Sequence, residues 1–372
     1  MIKKIGILVL AVLLLLAVLS PALVQAQGGL TVIESSAQAS FPQELNFNLS
    51  ATSDVDITDI RLCYTTSRAG FADVTSEAYV DFTPAASVDV SWSLDMVRIG
   101  GLPPGSVVDY WWNIEDASGD RLETSPVQVQ FDDNRYDWRS LTEGNLTLYW
   151  YSGSDAFAQE LMATAQGAMA KLADDTGAEL ERQAKLYVYA NASDLQGSMI
   201  YPQEWTGGVA FTRYSTMAIG IAPSDIDWGK RAIAHELTHL VIHQITLNPY
   251  NDLPVWLDEG LAVRSEGLLD PTYSTYLARA ISTNSLISVQ SLASPFSAFS
   301  DEAVLSYAES YSLVDFLITG YGQDKMAELL SVFRQGSGYD EALEDVYGFD
   351  MDGLNSLWLA YVTDKYQAAV NA

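Results

Sequence analysis

At 372 residues the chain exceeds one ordinary domain, so two domains with at least one large core are expected. It sets 48 acidic residues against 19 basic ones, a formal net charge of −29, which excludes nucleic acid and anionic membrane surfaces as natural partners because a polyanion gains nothing by approaching another. The single cysteine, Cys63, excludes an internal disulfide framework and a cysteine-rich cluster, so any metal chemistry must use histidine and carboxylate.

The N-terminus carries Lys3 and Lys4, an uncharged apolar run from Ile5 to Leu19, then Ser20-Pro21 and a small-residue site ending at Ala26. This layout predicts a secretory signal peptide over residues 1–26 and a secreted, extracytoplasmic mature protein with no stable membrane insertion after cleavage. An uncleaved anchor is the competing reading, since Ile5 to Val24 could just span a bilayer.

From Leu30 to Phe131 the pattern has period two. Leu45, Phe47, Leu49 and Ala51 alternate with polar neighbours, as do Val88, Val90, Trp92, Leu94 and Met96, so each strand offers one face to a core and the other to water. Further alternation at Ile60-Leu62-Tyr64, Tyr110-Trp112-Ile114 and Val127-Val129-Phe131 is broken by turn chemistry such as Pro103-Pro104-Gly105. About seven short antiparallel strands in roughly a hundred residues predict an all-β sandwich over residues 30–135. The stretch from Gly101 to Gly119 resembles the fibronectin type III or immunoglobulin (Ig)-like pattern in architecture, a proline-glycine turn leading into a tyrosine-bearing strand, without the inter-sheet disulfide. Asp54, Asp56 and Asp59 fit no calcium loop and read as a solvated strand edge.

Alternation stops at residues 131–140, where charge and turn formers gather. Beyond, from 141 to 366, an α+β and mainly helical domain is expected. Residues 145–151 and 185–190 read as strands, Phe157, Leu161, Ala165, Met169 and Leu172 lie at helical spacing, and 207–221 reads as a hairpin or edge strand. After residue 226 nearly everything is helical.

The chain's three histidines all fall between residues 235 and 243. His-Glu-x-x-His on a helix places His235 and His239 one turn apart on one face, where two imidazoles can share one zinc ion, with Glu236 beside them as a general base. His243 lies ~12 Å along the axis from His235, whereas zinc–nitrogen bonds of about 2 Å require converging ligand atoms. A straight helix cannot deliver all three, and Leu240, Val241 and Ile242 supply no turn. His243 is therefore expected to pack or to act behind the ligands. The missing ligand should be a carboxylate on a following element, and residues 251–267 supply Asp258, Glu259 and Glu266.

With His235-Glu236-Leu237-Thr238-His239 followed by Trp256-Leu257-Asp258-Glu259-Gly260-Leu261-Ala262, the chain resembles a gluzincin, the peptidase MA-like superfamily of thermolysin and the zinc aminopeptidases. The resemblance implies a zincin-type fold, Zn2+ as cofactor and Glu259 as third ligand. Glu266 matches a glutamate found seven residues after that ligand in the aminopeptidase branch, and Asp258 is the alternative ligand. "LSYAESYSLVDFL" at 305–317 resembles the aminopeptidase helix whose tyrosine donates a hydrogen bond to the tetrahedral intermediate, which implies that role for Tyr307, with Tyr311 expected on the same face. The chain departs from the pattern in two places. No Gly-Ala-Met-Glu-Asn segment is present to hold a substrate amine, and Val263 stands where thermolysin relatives carry aspartate.

The expected function is a secreted zinc metallopeptidase acting on protein or peptide substrates, as an endopeptidase. The alternative is a catalytically weak surface module whose β-sandwich recognises a protein or polysaccharide. Oligomeric state is not legible in the sequence.

Overall fold

The computed structural model describes residues 29–72, 74–202, 206–297 and 299–370, so the expected signal peptide lies outside the described residues. The N-terminal region contains β1 (Thr31–Ser40), β2 (Glu44–Thr66), β3 (Ser76–Tyr79), β4 (Ala85–Asp95), the short helix α1 (Met96–Ile99), β5 (Ser106–Asp116), β6 (Arg121–Glu123) and β7 (Val127–Phe131). All pairings are antiparallel, and the burial of Leu45, Phe47, Leu49, Tyr110, Trp112 and Ile114 follows the alternation.

The antiparallel strands expected for the sandwich are all hydrogen-bonded into one seven-stranded network. The reason is β2, 23 residues long, which pairs with β1 and β4 through its first half and with β3 and β5 through its second, with register shifts near Thr52 and Ile57. Phe47 and Tyr64 both belong to β2, yet their ring centroids are 6.5 Å apart. A straight strand would separate them by roughly 55 Å at about 3.3 Å per residue, so β2 bends and lays its halves across a shared core.

The second region starts at β8 (Arg139–Glu143) and β9 (Leu146–Trp150), followed by α2 (Asp155–Thr176), β10 (Ala184–Tyr189), α3 (Ala192–Gln196), β11 (Gly208–Phe211) and β12 (Thr216–Gly220). These strands form a five-stranded sheet in the order β11-β12-β10-β9-β8, parallel at its centre and antiparallel at both edges. Ser154 caps α2 by accepting from Phe157 N, and Gly177 ends it in the left-handed conformation that glycine adopts without steric cost. Then come α4 (Ile226–Thr246), α5 (Val255–Ser265), α6 (Pro271–Thr283), α7 (Val289–Leu292), α8 (Ser300–Tyr321), α9 (Gln323–Arg334), α10 (Tyr339–Tyr347) and α11 (Met351–Val370). Among the described residues no helix is long and apolar enough to cross a membrane.

One core joins Leu146, Leu186, Leu237, Trp256, Leu313 and Trp358, covering sheet and helices alike, while a separate core fills the N-terminal region. The chain is thus multidomain, an antiparallel β-sheet region followed by a mainly helical one. The polar segment between them is packed rather than solvated: the Asp133 side chain has no exposure, pairs with Arg135 at 2.7 Å and accepts from the Tyr189 hydroxyl at 2.8 Å. A buried carboxylate is tolerable only with such partners.

Candidate metal centre

Helix α4 carries a buried stripe of Ile233, Leu237, Leu240, Val241 and Gln244, so its other face turns His235, Glu236, His239 and His243 toward a partly open cleft. Helix α5 begins after Pro254, buries Trp256, Leu257 and Leu261, and presents Asp258 and Glu259 to the histidines. Thr238 Oγ1 donates to Ser265 Oγ at 2.8 Å, and Ser265 Oγ donates to Ala234 O at 2.8 Å, tying the two helices beside the site. A methyl group at Gly260 would lie 2.4 Å from Ser310 O, so α5 and α8 meet there backbone to backbone.

His235, His239 and Glu259 each offer one ligand atom, all within 4.8 Å of one another. Glu259 Oε2 stands 3.4 Å from His235 Nε2 and 3.5 Å from His239 Nε2. That oxygen is buried and has no hydrogen-bond partner, an arrangement that costs free energy unless a cation completes it.

The far nitrogens are braced by carboxylates. His235 Nδ1 lies 2.9 Å from Glu266 Oε1, and His239 Nδ1 lies 2.9 Å from Asp258 Oδ1. A proton on each Nδ1 fixes the tautomer that leaves Nε2 free to bind metal. His243 Nε2 hydrogen-bonds Asp258 Oδ2 at 3.0 Å, so His243 stands behind the ligand pair as its position on the helix predicts. Sequence reasoning noticed Glu266 without a role and read Asp258 only as an alternative ligand. Pairing a carboxylate with a particular ring nitrogen depends on the approach of two helices, which spacing does not encode.

Electrostatics fit a divalent cation. Burial alone would lower the His235 imidazole, but Glu259 and Glu266 raise it to about 9, and Asp258 with Glu259 likewise raises His239 against its burial. Burial would raise the Glu259 carboxyl, yet the two imidazoles hold it down to about 2. The carboxylates that hold both imidazoles protonated in the absence of metal make a negative field that a cation can enter in place of those protons. Glu236 is raised chiefly by burial, which suits a group that accepts and returns a proton.

The edge strand β11 runs past this base. A methyl group at Gly208 would lie 2.9 Å from Glu236 Oε1, so only a glycine lets strand and carboxylate approach this closely. Tyr307 packs its ring edge-on to His235 at 6.3 Å and to Phe296 at 5.2 Å, and stacks with Tyr273 at 6.3 Å. Burial, with Glu259 next, raises its hydroxyl, which therefore stays protonated and able to donate. Tyr311 does not share these contacts. One turn further along α8 and rotated by only about 40°, it lines a separate cavity with Asp315 and Lys365.

The family model for the peptidase MA superfamily matches residues 164–364, more than half of the chain. No curated protein matches the chain in sequence. Among solved structures, the chain is similar to an M1 zinc metallopeptidase from Deinococcus radiodurans, at 12% identity and a TM-score of 0.38, covering 90% of this chain and 95% of that one. It is also similar to Legionella pneumophila aminopeptidase A, solved with aspartic acid, at 11% identity and a TM-score of 0.41, covering 90% of this chain and 50% of that one. With a His-Glu-x-x-His helix, a metal-ready carboxylate and a matching family model, the chain belongs to the peptidase MA superfamily and is a zinc metallopeptidase.

Proposed function

We propose that the protein is an extracytoplasmic endopeptidase whose zinc is held by His235, His239 and Glu259. The observation that carries the ligand assignment is the buried, unpartnered Glu259 Oε2 facing two imidazole nitrogens. Zinc bound there supplies Lewis acidity, polarising the scissile carbonyl and acidifying the attacking water.

The chain's own residues do the rest. Glu236 takes the proton of the attacking water and passes it to the leaving nitrogen. Tyr307 donates its hydroxyl to the oxygen that gains charge as the carbonyl becomes tetrahedral. The edge of β11 pairs with the substrate backbone, holding an extended peptide against Glu236. Internal cleavage rests on the sequence, which carries no Gly-Ala-Met-Glu-Asn segment to fix a free amine.

Zinc content together with digestion of a peptide library in free and N-acetylated forms tests this reading. Acetylated peptides should be cut as well as free ones, and turnover abolished by acetylation overturns the endopeptidase assignment. Secretion rests on residues 1–26 and predicts a mature N-terminus after Ala26; an intact N-terminus on exported protein overturns cleavage there.

A further inference from the structure

Between the β-sheet region and the peptidase region lies a cavity of about 1010 Å³, lined in part by Arg68, Arg182, Arg213 and Asp109. A second cavity of about 350 Å³ shares Ala69, Arg182 and Arg213 with it and reaches His243 and Asp258, directly behind the ligand His239. The two therefore meet at the arginines and lead toward the metal centre.

None of these three guanidinium groups has an ion pair among the described residues, whereas Arg61, Arg135 and Arg264 are each held by carboxylates. Partners are not scarce, because acidic residues outnumber basic ones 48 to 19. The nearby carboxylates are already engaged: Asp109 accepts from Gln128 Nε2 at 3.2 Å, and Asp258 accepts from His239 and His243. Asp252, in the lining of the smaller cavity, is exposed to solvent.

The segments that carry the arginines are fixed to the zinc helix. Gln244 on α4 is buried, accepts from Arg182 N at 2.9 Å and donates to Ser215 Oγ at 3.1 Å. Ala69 N donates to Arg213 O at 2.6 Å, drawing the third segment to the same place. Arg213 also follows β11 closely, with only Thr212 between it and Phe211.

Resting on the peptidase reading above, we propose that Arg68, Arg182 and Arg213 form a specificity subsite that binds a side-chain carboxylate of the peptide substrate. A peptide lying along β11 at Glu236 and continuing past Phe211 reaches Arg213 within about five residues of the scissile bond, at about 3.3 Å per extended residue. Guanidinium groups bind carboxylates through paired N–H donors, and these three, exposed in the groove, are open to an incoming side chain. The protein's overall negative charge repels extended polyanions, and beyond a Debye length of about 10 Å that field fades. The selected ligand is therefore a peptide with an isolated Asp or Glu.

The test uses internally quenched peptides, acetylated and amidated at their ends, that differ only in Glu versus Gln at one position within five residues of the cut. Wild type should favour Glu at one such position by about tenfold in kcat/KM, carried mainly by KM. In the double variant Arg182→Gln/Arg213→Gln the ratio should fall toward one, while Arg213→Lys, which keeps the charge but not the paired donors, should fall between that and wild type. Equal turnover of every pair by wild type, or a preference that the double variant retains, overturns the subsite. Fluorescence anisotropy of the same peptides on Glu236→Gln protein reads the ratio without turnover. Selective binding with no cleavage by wild type would overturn the peptidase reading and leave the subsite standing, whereas equal cleavage and equal binding would do the reverse.

Discussion

Two triads of histidine and carboxylate share His239, and they differ in how their atoms are satisfied. His235, His239 and Glu259 converge, as do His239, His243 and Asp258, each set within 4.8 Å. In the second every facing atom is matched: Asp258 takes His239 on one oxygen and His243 on the other. In the first, Glu259 Oε2 is buried with no hydrogen bond at all. Proximity makes both sets candidates; the proposed ligand set is the one with an unsatisfied oxygen, and the hydrogen-bonded set is the proposed brace.

The largest expected effect breaks the first triad. Glu259→Ala should abolish stoichiometric zinc binding and activity together, measured by metal analysis and peptide cleavage; a zinc-replete Glu259→Ala protein would transfer the ligand role to Asp258. Next, Glu236→Gln should keep zinc yet lose activity by about 10²–10⁴-fold, since shape is preserved while the proton acceptor is gone. Residual turnover within tenfold of wild type would mean that another group activates the water.

Tyr307→Phe should lower kcat by about 10²–10³-fold at unchanged zinc content, because the hydroxyl is needed only as charge develops on the carbonyl oxygen. Tyr311→Phe is its control, and the reverse ranking would place the oxyanion on the Tyr311 side. Against the second triad, Asp258→Ala should weaken zinc by about 10- to 100-fold without abolishing it, as loss of a brace rather than a ligand. His243→Ala should be milder still. Competition with a chelator orders the series, and a His243→Ala effect as large as that of Glu259→Ala would erase the distinction between the triads.

The parts of this site set by local periodicity were legible in the sequence. His235, Glu236 and His239 follow from one helical turn, and Glu259 from a short motif on the next helix. The bracing roles of Asp258 and Glu266 were not legible, since they depend on the crossing of α4 and α5. Tyr311 was expected beside Tyr307 on spacing alone, but Tyr307 packs against His235 while Tyr311 lines a cavity with Asp315 and Lys365. In the N-terminal region the alternation predicted the buried faces of β2 and β5, whereas Val127 in β7 is exposed, and Asp54 and Asp56 read as a strand edge rather than as the middle of β2. Between Thr52 and Ile57 the strand slips register with its partners, so its polar bend lacks both a regular ladder and a hydrophobic signature. The arginine groove draws on residues 68, 182 and 213, three segments too distant in sequence for any spacing to join them.

Gly260 turns the letter after Glu259 into a mechanical statement. Its missing side chain lets the backbone of α5 rest on that of α8 at Ser310, so Glu259 and Tyr307 are carried on one welded jaw. The Ser310 backbone and the stiff Val314 side chain are what lies nearest in that joint, so little in it can give. Whatever tolerance the cleft has for bulky or kinked peptides must come from the opposite jaw, where β11 is an edge strand held from one side only.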